Sequence, residues 1–141
     1  MAITYENVIY DRVIDSMNTI LADEFNISVV FDETEDRGNQ SFLVTPGEDN
    51  QVDTLASGQL RQVTVVINYE LKTGGNYTKN SVKQITSITE RLKRLLFNNK
   101  TYTVSGTNRY RNGLVENIIY EREDNVSRSI TTFSCQTLEL V

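Results

Sequence analysis

Histidine and tryptophan are absent from this chain of 141 residues. Without histidine, the chain lacks the commonest general base near neutral pH and the commonest protein ligand of transition metals. A Ser-His-Asp or Cys-His catalytic arrangement is impossible, and a zinc site would lack both histidine and paired cysteines. We therefore expect a protein that is not an enzyme and that holds neither a metal nor a cofactor.

Cysteine is nearly absent too, because Cys135 is the only one, and no disulfide can form within the chain. The first six residues, Met-Ala-Ile-Thr-Tyr-Glu, lack the basic segment and apolar core of a secretion signal. No apolar run approaches the roughly 18 residues that a membrane span needs. These features predict a non-secreted protein of a reducing compartment, with no membrane partner.

Positive charge is scarce, since the formal net charge is −5 and the isoelectric point is near 4.8. Nucleic-acid binders derive most of their affinity from cationic contacts with phosphates, so this balance opposes that class. The apolar fraction is 38% and the mean hydropathy is −0.38, so much of the surface must face water or other proteins. The length predicts a single domain over residues 1–141.

Two segments have the periodicity of amphipathic helices. The first is predicted over residues 4–25, with Thr4 as its N-terminal cap and Asn26 as its end. Its apolar stripe consists of Ile9, Tyr10, Val13, Ile14, Met17, Ile20 and Leu21. The second is predicted over residues 81–97, beginning with a capping box of Ser81 and Gln84. Its stripe consists of Val82, Ile85, Ile88, Thr89, Leu92, Leu95 and Leu96.

The segments between these helices predict strands. Two short strands are expected over 27–32 and 41–45, the second ended by Pro46-Gly47 because proline has no N–H for a ladder. Residues 47–60 are polar and show no clear period, which predicts a long loop of the kind that meets a partner. Residues 61–72 alternate cleanly between apolar and polar side chains, which predicts a long strand.

The last 40 residues predict strands as well. A strand over 101–105 is broken by Gly106, and Asn112-Gly113 has the composition of a two-residue hairpin turn. Strands over 114–122 and 127–140 follow, and the alternation of the last slips between Ile130 and Phe133, as at a bulge or a sheet edge. Consecutive strands joined by short turns predict an α+β fold: an antiparallel sheet with both helices packed on one face, in the order helix, strands, helix, strands.

Two motifs that suggest ligand sites fail on spacing. The acidic run 32–36 has Arg37 where a calcium loop needs glycine and Leu43 where it needs a bidentate glutamate. Gly74-Gly75 matches neither of the phosphate-binding glycine spacings, so we expect a flexible connection there. The remaining candidates are for contact with proteins, because aromatic and guanidinium groups are enriched at interfaces. They are Tyr102, Arg109, Tyr110, Arg111 and Asn112 around the predicted hairpin, and Glu48, Asp49, Gln51, Asp53 and Leu55 in the predicted loop. For the hairpin group, contact with a nucleic-acid backbone and an ordinary solvated hairpin with its tyrosines on the sheet are the alternatives.

The chain as a whole resembles the tail terminator, or tail-completion, proteins of tailed bacteriophages. The resemblance lies in size, composition and element order. It is carried by the Ile9–Leu21 stripe, the alternating strand Val63–Leu71, the Val82–Leu96 stripe and the strands after Asn99. This family has no invariant motif, so the resemblance transfers no functional residue.

The resemblance implies a structural virion protein at the head-proximal end of the tail, assembled in the host cytoplasm. It would form a homohexameric ring that caps the tail-tube protein, stops polymerisation and joins the head-completion or neck protein, while DNA passes through the lumen without specific binding. Another head–tail connector, a neck or tail-tube subunit, a small ligand-binding or enzyme-complex subunit, and a chaperone-like accessory protein are the alternatives.

Overall fold

The computed structural model describes residues 2–25, 28–30, 40–56, 58–73, 79–123 and 125–140. A π-helical segment, Ile9–Ile14, continues directly into helix α1, Asp15–Glu24. The elements that follow, in chain order, are β1 (Ser28–Val30), β2 (Gln40–Leu55), β3 (Gly58–Lys72), α2 (Lys79–Asn98), β4 (Tyr102–Val104), β5 (Thr107–Glu123) and β6 (Val126–Leu140).

The six strands form one sheet in the order β1-β2-β3-β6-β5-β4. Strands β2 to β6 pair in antiparallel fashion, which confirms the predicted α+β class with an antiparallel sheet. Strand β1 differs from the prediction, because it lies parallel to β2 and pairs only with Ser41, Phe42 and Leu43. Strands β3 and β6 are the centre of the sheet, and their register is continuous from Gly58↔Leu140 to Lys72↔Val126.

The core is built from residues of both helices and from alternate residues of the central strands. The odd-numbered residues Val63, Val65, Ile67 and Tyr69 of β3 are fully buried, as are Phe133 and Tyr110. They form one cluster with Met17 and Leu21 of α1 and Ile85, Leu92 and Leu96 of α2. The alternating residues that predicted β3 and most of the stripe residues that predicted the helices are therefore the side chains that exclude water, and burying each large one contributes about 1.5–3 kcal/mol. Tyr10 and Val82 of the predicted stripes are the exceptions, because both are exposed.

The first helical segment begins later than predicted. Residues 2–7 lie outside it, so Thr4 is not its cap. Val8 precedes the segment, and nearby the Asn7 Oδ1 accepts a hydrogen bond from the Tyr10 N–H at 3.4 Å. The predicted stop at Asn26 lies outside the described residues. The second helix begins at Lys79, so Ser81 lies inside its first turn and the predicted capping box is wrong. It ends at Asn98, one residue beyond the predicted end.

The predicted loop over 47–60 is wrong, because β2 runs on past Pro46-Gly47 to Leu55 and pairs with β3 from Gly58. The pairing shifts register between Pro46 and Asp49 and again between Gln51 and Asp53. A proline is tolerated in a strand beside such an irregularity, since the ladder is already interrupted there. The segment is thus a long β-hairpin, and its polar residues alternate on a strand.

The predicted hairpin turn at Asn112-Gly113 is also wrong. The chain turns at Ser105-Gly106, which join Val104 to its partner Thr107 with φ of 51° and 79°. Both turn residues have positive φ, as a two-residue hairpin of this twist requires. Asn112, with φ of 55°, lies at a register shift between Arg111 and Leu114 within the continuous strand β5.

The last strand, β6, is not an edge strand and has no bulge against β3, contrary to the prediction from its alternation. The irregularity lies in its other neighbour, where Val115 pairs with Phe133 and Asn117 pairs with Thr132, so β5 has one extra residue. The polar residues that interrupt the alternation of apolar and polar side chains in β6 are buried in the centre of the sheet. One of them, Ser129, shares a hydrogen bond with Thr89 of α2 at 2.9 Å. The predicted Gly74-Gly75 connection lies outside the described residues.

Cys135 is buried in β6, and burial raises the pKa of its thiol to about 12. Because the thiolate is the reactive form, the folded protein at pH 8 is expected to react with a thiol reagent only as fast as the chain unfolds. In denaturant, one thiol per chain should react within seconds. Absorbance with a chromogenic disulfide reagent measures both rates, and fast reaction in native buffer would contradict this burial.

Candidate subunit-contact surfaces

The hairpin of β2 and β3, together with the end of β6, forms an arm at one end of the sheet. The arm consists of residues 48–55, 58–62 and 137–140, which continue the strand pairing of the sheet. The core-facing side of β3 is apolar from Leu71 to Val63, and the next residue on that side is Arg61. The outer half of β2 is exposed, whereas Thr137 of β6 is buried and the Leu138 carbonyl accepts a hydrogen bond from Arg12 of the first helical segment.

Ion pairs hold the arm's three strands together. Arg61 donates to Asp49 of β2, with Nε 3.1 Å from Oδ1, and its Nη1 lies 2.7 Å from Glu139 Oε2 of β6. The hydrogen bond to Asp49 raises the pKa of Arg61 above its ordinary value. The guanidinium of Arg61 therefore pairs with one carboxylate on each of the two strands that flank β3. Acidic residues still outnumber this arginine, so the arm has a net negative charge.

The predicted loop residues are all exposed on this arm. Glu48, Asp49, Gln51, Asp53 and Leu55 follow one another along the outer half of β2. The amide of Gln51 donates to Thr54 Oγ1 at 2.7 Å, and Asp53 Oδ1 accepts from the Thr54 N–H at 2.8 Å. Two apolar side chains, Val52 and Leu55, are almost half exposed among these polar groups. The sequence analysis proposed Leu55 and missed Val52.

The second predicted cluster, around the predicted hairpin, contains both buried and exposed side chains. Tyr110 is fully buried, and its hydroxyl donates to the Asn99 carbonyl at 2.7 Å, so its side chain cannot meet a partner. Tyr102 is half-buried with its ring 6.0 Å from that of Tyr110. Burial also raises the pKa of Tyr110 above its ordinary range. Tyrosines 102 and 110 are thus largely structural, and the prediction that Tyr110 lies at an interface is corrected.

Arg109, Arg111 and Asn112 lie at the base of the arm. Arg111 pairs with Gln136, which pairs with Gln62 and, one strand further, Asn50. The two predicted regions therefore meet at one end of the sheet. Arg109 is half-buried and its charge, after the stronger effect of Arg12, helps to lower the pKa of Glu6. Asn112 donates to Gln136 Oε1 at 2.8 Å. A cavity of about 240 Å³ opens here between Arg12 and Arg111.

The outer edge of β5 is a surface that the sequence analysis did not single out. Strand β4 pairs with β5 only as far as Tyr110, and the Gly113 N–H donates to the Lys100 carbonyl at 2.9 Å. From Leu114 to Glu123, no strand in the described part of the chain pairs with this edge. Leu114, Ile119 and Tyr120 on it are 62%, 50% and 48% exposed. A long, apolar strand edge is a template for association with another chain.

A basic, apolar groove lies beside that edge, at the C-terminal end of α2. Its lining includes Lys93, Phe97, Lys100, Leu114 and Val115, and its volume is about 240 Å³. We call it the Phe97 groove. The ring of Phe97 is 57% exposed, with Lys100 Nζ 4.0 Å from its centroid. Sequence analysis missed this groove because helix and strand residues distant in sequence form it.

The N-terminal segment bears two further exposed apolar side chains, Ile3 and Tyr5. It is tied to the body by Glu6, whose Oε2 lies 2.6 Å from Arg12 Nε. The hydrogen bond to Arg12 lowers the pKa of Glu6. The predicted first helix, over residues 4–25, included Tyr5, which hid the exposure of that side chain.

The described residues include no group of three or more Cys, Asp or Glu side chains placed to hold a metal ion. Within the same residues, no helix is both long and apolar enough to cross a membrane. Comparison of the chain with protein-family models and with curated protein sequences finds no match.

Proposed function

We propose that this protein is a structural virion subunit of the tail-terminator kind. In this role it forms a ring, in the resemblance a hexamer, on the last layer of the tail tube, stops polymerisation and provides the joint to the head or neck proteins. It acts without catalysis or a cofactor. It assembles in the host cytoplasm and remains at the head-proximal end of the tail.

The observation that carries the proposal is the pair of different surfaces on the two lateral sides of one sheet. On one side, β2 bears the arm, and beyond Leu43 no described strand pairs with its outer edge. On the other side, the β5 edge from Leu114 to Glu123 bears exposed apolar side chains. When two different patches of the same chain meet, the contact is heterologous, and a heterologous contact generates a closed ring if its rotation closes.

The arrangement of the layers supports the same role. We propose that both helices cover one face of the sheet, which leaves the other face available in the ring. On that other face, Asn68, Ile130 and Ile119 form one row across β3, β6 and β5. Asn68 and Ile130 are only half-buried within a single chain. A half-apolar sheet face of this kind suits packing against the tube or neck protein, and the acidic net charge suits a channel that must not hold DNA.

Tube capping is the test of this function. Labelled protein is added to tail-tube protein that is polymerising, and its position is read by electron microscopy. We expect the label at one tube end only, and growth from that end should stop. Label along the whole tube would identify a tube subunit instead. Absence of label from tubes, together with a reproducible thermal shift by a small molecule, would favour the ligand-binding alternative.

Charges placed on the β5 edge are expected to abolish capping without unfolding the chain. Ile119→Asp with Tyr120→Asp puts two carboxylates on exposed positions, where substitutions typically change the free energy of unfolding by no more than about 0.5 kcal/mol. A like-charged, hydrated edge cannot be buried against a second copy at low cost. Val82→Asp, at another exposed apolar position, is the control and should cap normally. Normal capping by the double variant would remove the β5 edge from the proposed contact.

A further inference from the structure

Opposite charges are segregated onto different elements of this acidic chain. Residues 79–100, which form α2 and the turn after it, contain six lysines and arginines and one acidic residue. Residues 48–62 and 137–140, which include the arm, contain four acidic residues and one arginine. The basic helix therefore contrasts both with the arm and with the net charge of the whole chain. Complementary patches of this kind steer association and fix its register.

The Phe97 groove offers an apolar floor with cations above it. Lys100 Nζ lies 4.0 Å from the centroid of the Phe97 ring, and Arg94 Cζ lies 5.7 Å from the same centroid. Lys93 lines the same wall, and Leu114, the most exposed apolar residue of β5, closes the other side. An exposed aromatic ring among cations is typical of a binding hot spot, because a partner can bury the ring and pair the charges at once.

The arm has the chemistry that would fill this groove. Val52 and Leu55 are apolar and almost half exposed, and two carboxylates lie near them on β2, with Asp53 between them and Glu48 four residues before Val52. An apolar side chain of the arm can cover Phe97 and Leu114, and the carboxylates can pair with Lys93 and Lys100. In each of these proposed pairs, both side chains are exposed to solvent on the surface of a single chain.

The arm of one chain cannot reach its own groove. The part of the arm that bears Val52 and Leu55 belongs to β2, and the groove is lined by β5, with β3 and β6 between these two strands. Three strand spacings separate these two strands by about 14 Å. We propose that the acidic arm of one copy docks in the Phe97 groove of the next copy. The inference rests on the ring-forming role proposed above and names the side-chain contact that sets its direction.

Duplex DNA is the other partner that a basic groove suggests, and the structure favours the arm. The centre of the groove is apolar, whereas a phosphate backbone calls for several cations in a polar track. The chain's net charge of −5 also opposes binding to DNA. Binding of DNA is therefore an outcome of the test below that would overturn the proposal.

Cysteine pairing between two variants tests the contact directly in the full chain. Val52→Cys places a thiol on the arm and Leu114→Cys places one on the groove, both at exposed positions, while the native Cys135 is buried. The two variants, one of them isotope-labelled, are mixed at high concentration and low salt and oxidised. We expect a disulfide between arm and groove, found only in the mixture. An arm–arm disulfide, or no intermolecular disulfide in the mixture, would overturn the proposal.

Charge reversal tests the electrostatic part. Lys93→Glu with Lys100→Glu in the groove should reduce the yield of the arm–groove disulfide at least tenfold. Adding Glu48→Lys and Asp53→Lys on the arm should restore the yield, since the pairs are then complementary again. Lys72→Glu with Lys83→Glu makes the same change in net charge outside the groove and should leave the yield unchanged. Failure of the arm reversal to restore the yield would contradict the pairing.

The disulfide and capping experiments distinguish a failure of the arm–groove contact from a failure of the proposed function. The disulfide forms in purified protein without any tube, so it reports the arm–groove contact alone, whereas tube capping reports the function. Retardation of duplex DNA by the wild-type chain, lost in the groove variant and unaccompanied by the arm–groove disulfide, would assign the groove to DNA. A disulfide without capping would support the contact and refute the tail role.

Discussion

Replacing Phe133 by alanine is expected to lower the free energy of unfolding by about 3–5 kcal/mol, the usual cost of removing a buried phenyl ring. Phe133 is fully buried in the central strand β6, and its ring lies 5.8 Å from that of Tyr110 at an interplanar angle of 81°. The substitution removes this edge-to-face contact and leaves a cavity between the sheet and α2. Urea unfolding followed by far-ultraviolet circular dichroism measures the change.

Phe97→Ala is the matched control for this prediction. It deletes the same side chain at a position that is 57% exposed, so the loss should stay below about 1 kcal/mol in the monomer. Equal losses for the two variants would show that the core is not centred on Phe133. The comparison also confirms that variants at the Phe97 groove report binding and not folding.

Replacing Gly113 by alanine is expected to cost about 2–3 kcal/mol through overpacking. A Cβ at this position would lie 2.5 Å from Phe133 Cζ and 3.1 Å from the Lys100 Cα. The ring cannot move aside, because Tyr110 packs against it and both are fully buried. The requirement for glycine here is one of space, between β5 and the ring beneath it.

A double-mutant cycle with Phe133→Leu checks the cause. In the leucine background the cost of Gly113→Ala should fall below about 1 kcal/mol, since the colliding ring atoms are gone. Gly106→Ala is the control, because its φ of 79° strains an alanine although nothing lies within 4 Å. Its cost should be the same in both backgrounds. An additive cycle at Gly113 would contradict the proposed collision.

The sequence predicted those parts of the fold in which one side of an element is continuously apolar. Val63 to Leu71 and the stripe of α2 are such cases, because burial of alternate or helically spaced side chains dominates their energetics. Prediction failed at Pro46-Gly47 and Asn112-Gly113. Proline, glycine and positive φ serve turns and irregular strands alike, and only the pairing of distant strands decides between them.

The candidate surfaces likewise include features that the sequence could predict and features that it could not. Exposure of the Glu48–Leu55 segment was predictable from its polarity, although the strand that carries it was not. Tyr110 could not be assigned to the core from its neighbours, because its burial depends on Phe133 and the turn at Asn99. The Phe97 groove depends on α2 meeting β5. A sequence signal for it did exist, in the concentration of lysine and arginine between residues 79 and 100.

The central claim is that this chain forms a ring through two different lateral surfaces and closes the end of a tail tube. Electron microscopy of tubes assembled with the protein tests it most directly, by averaging images of tube ends viewed along the axis. The account predicts a closed ring of identical subunits at one end, with each arm over the next subunit's Phe97 groove. Subunits distributed along the tube, or contacts related by two-fold symmetry, would contradict it.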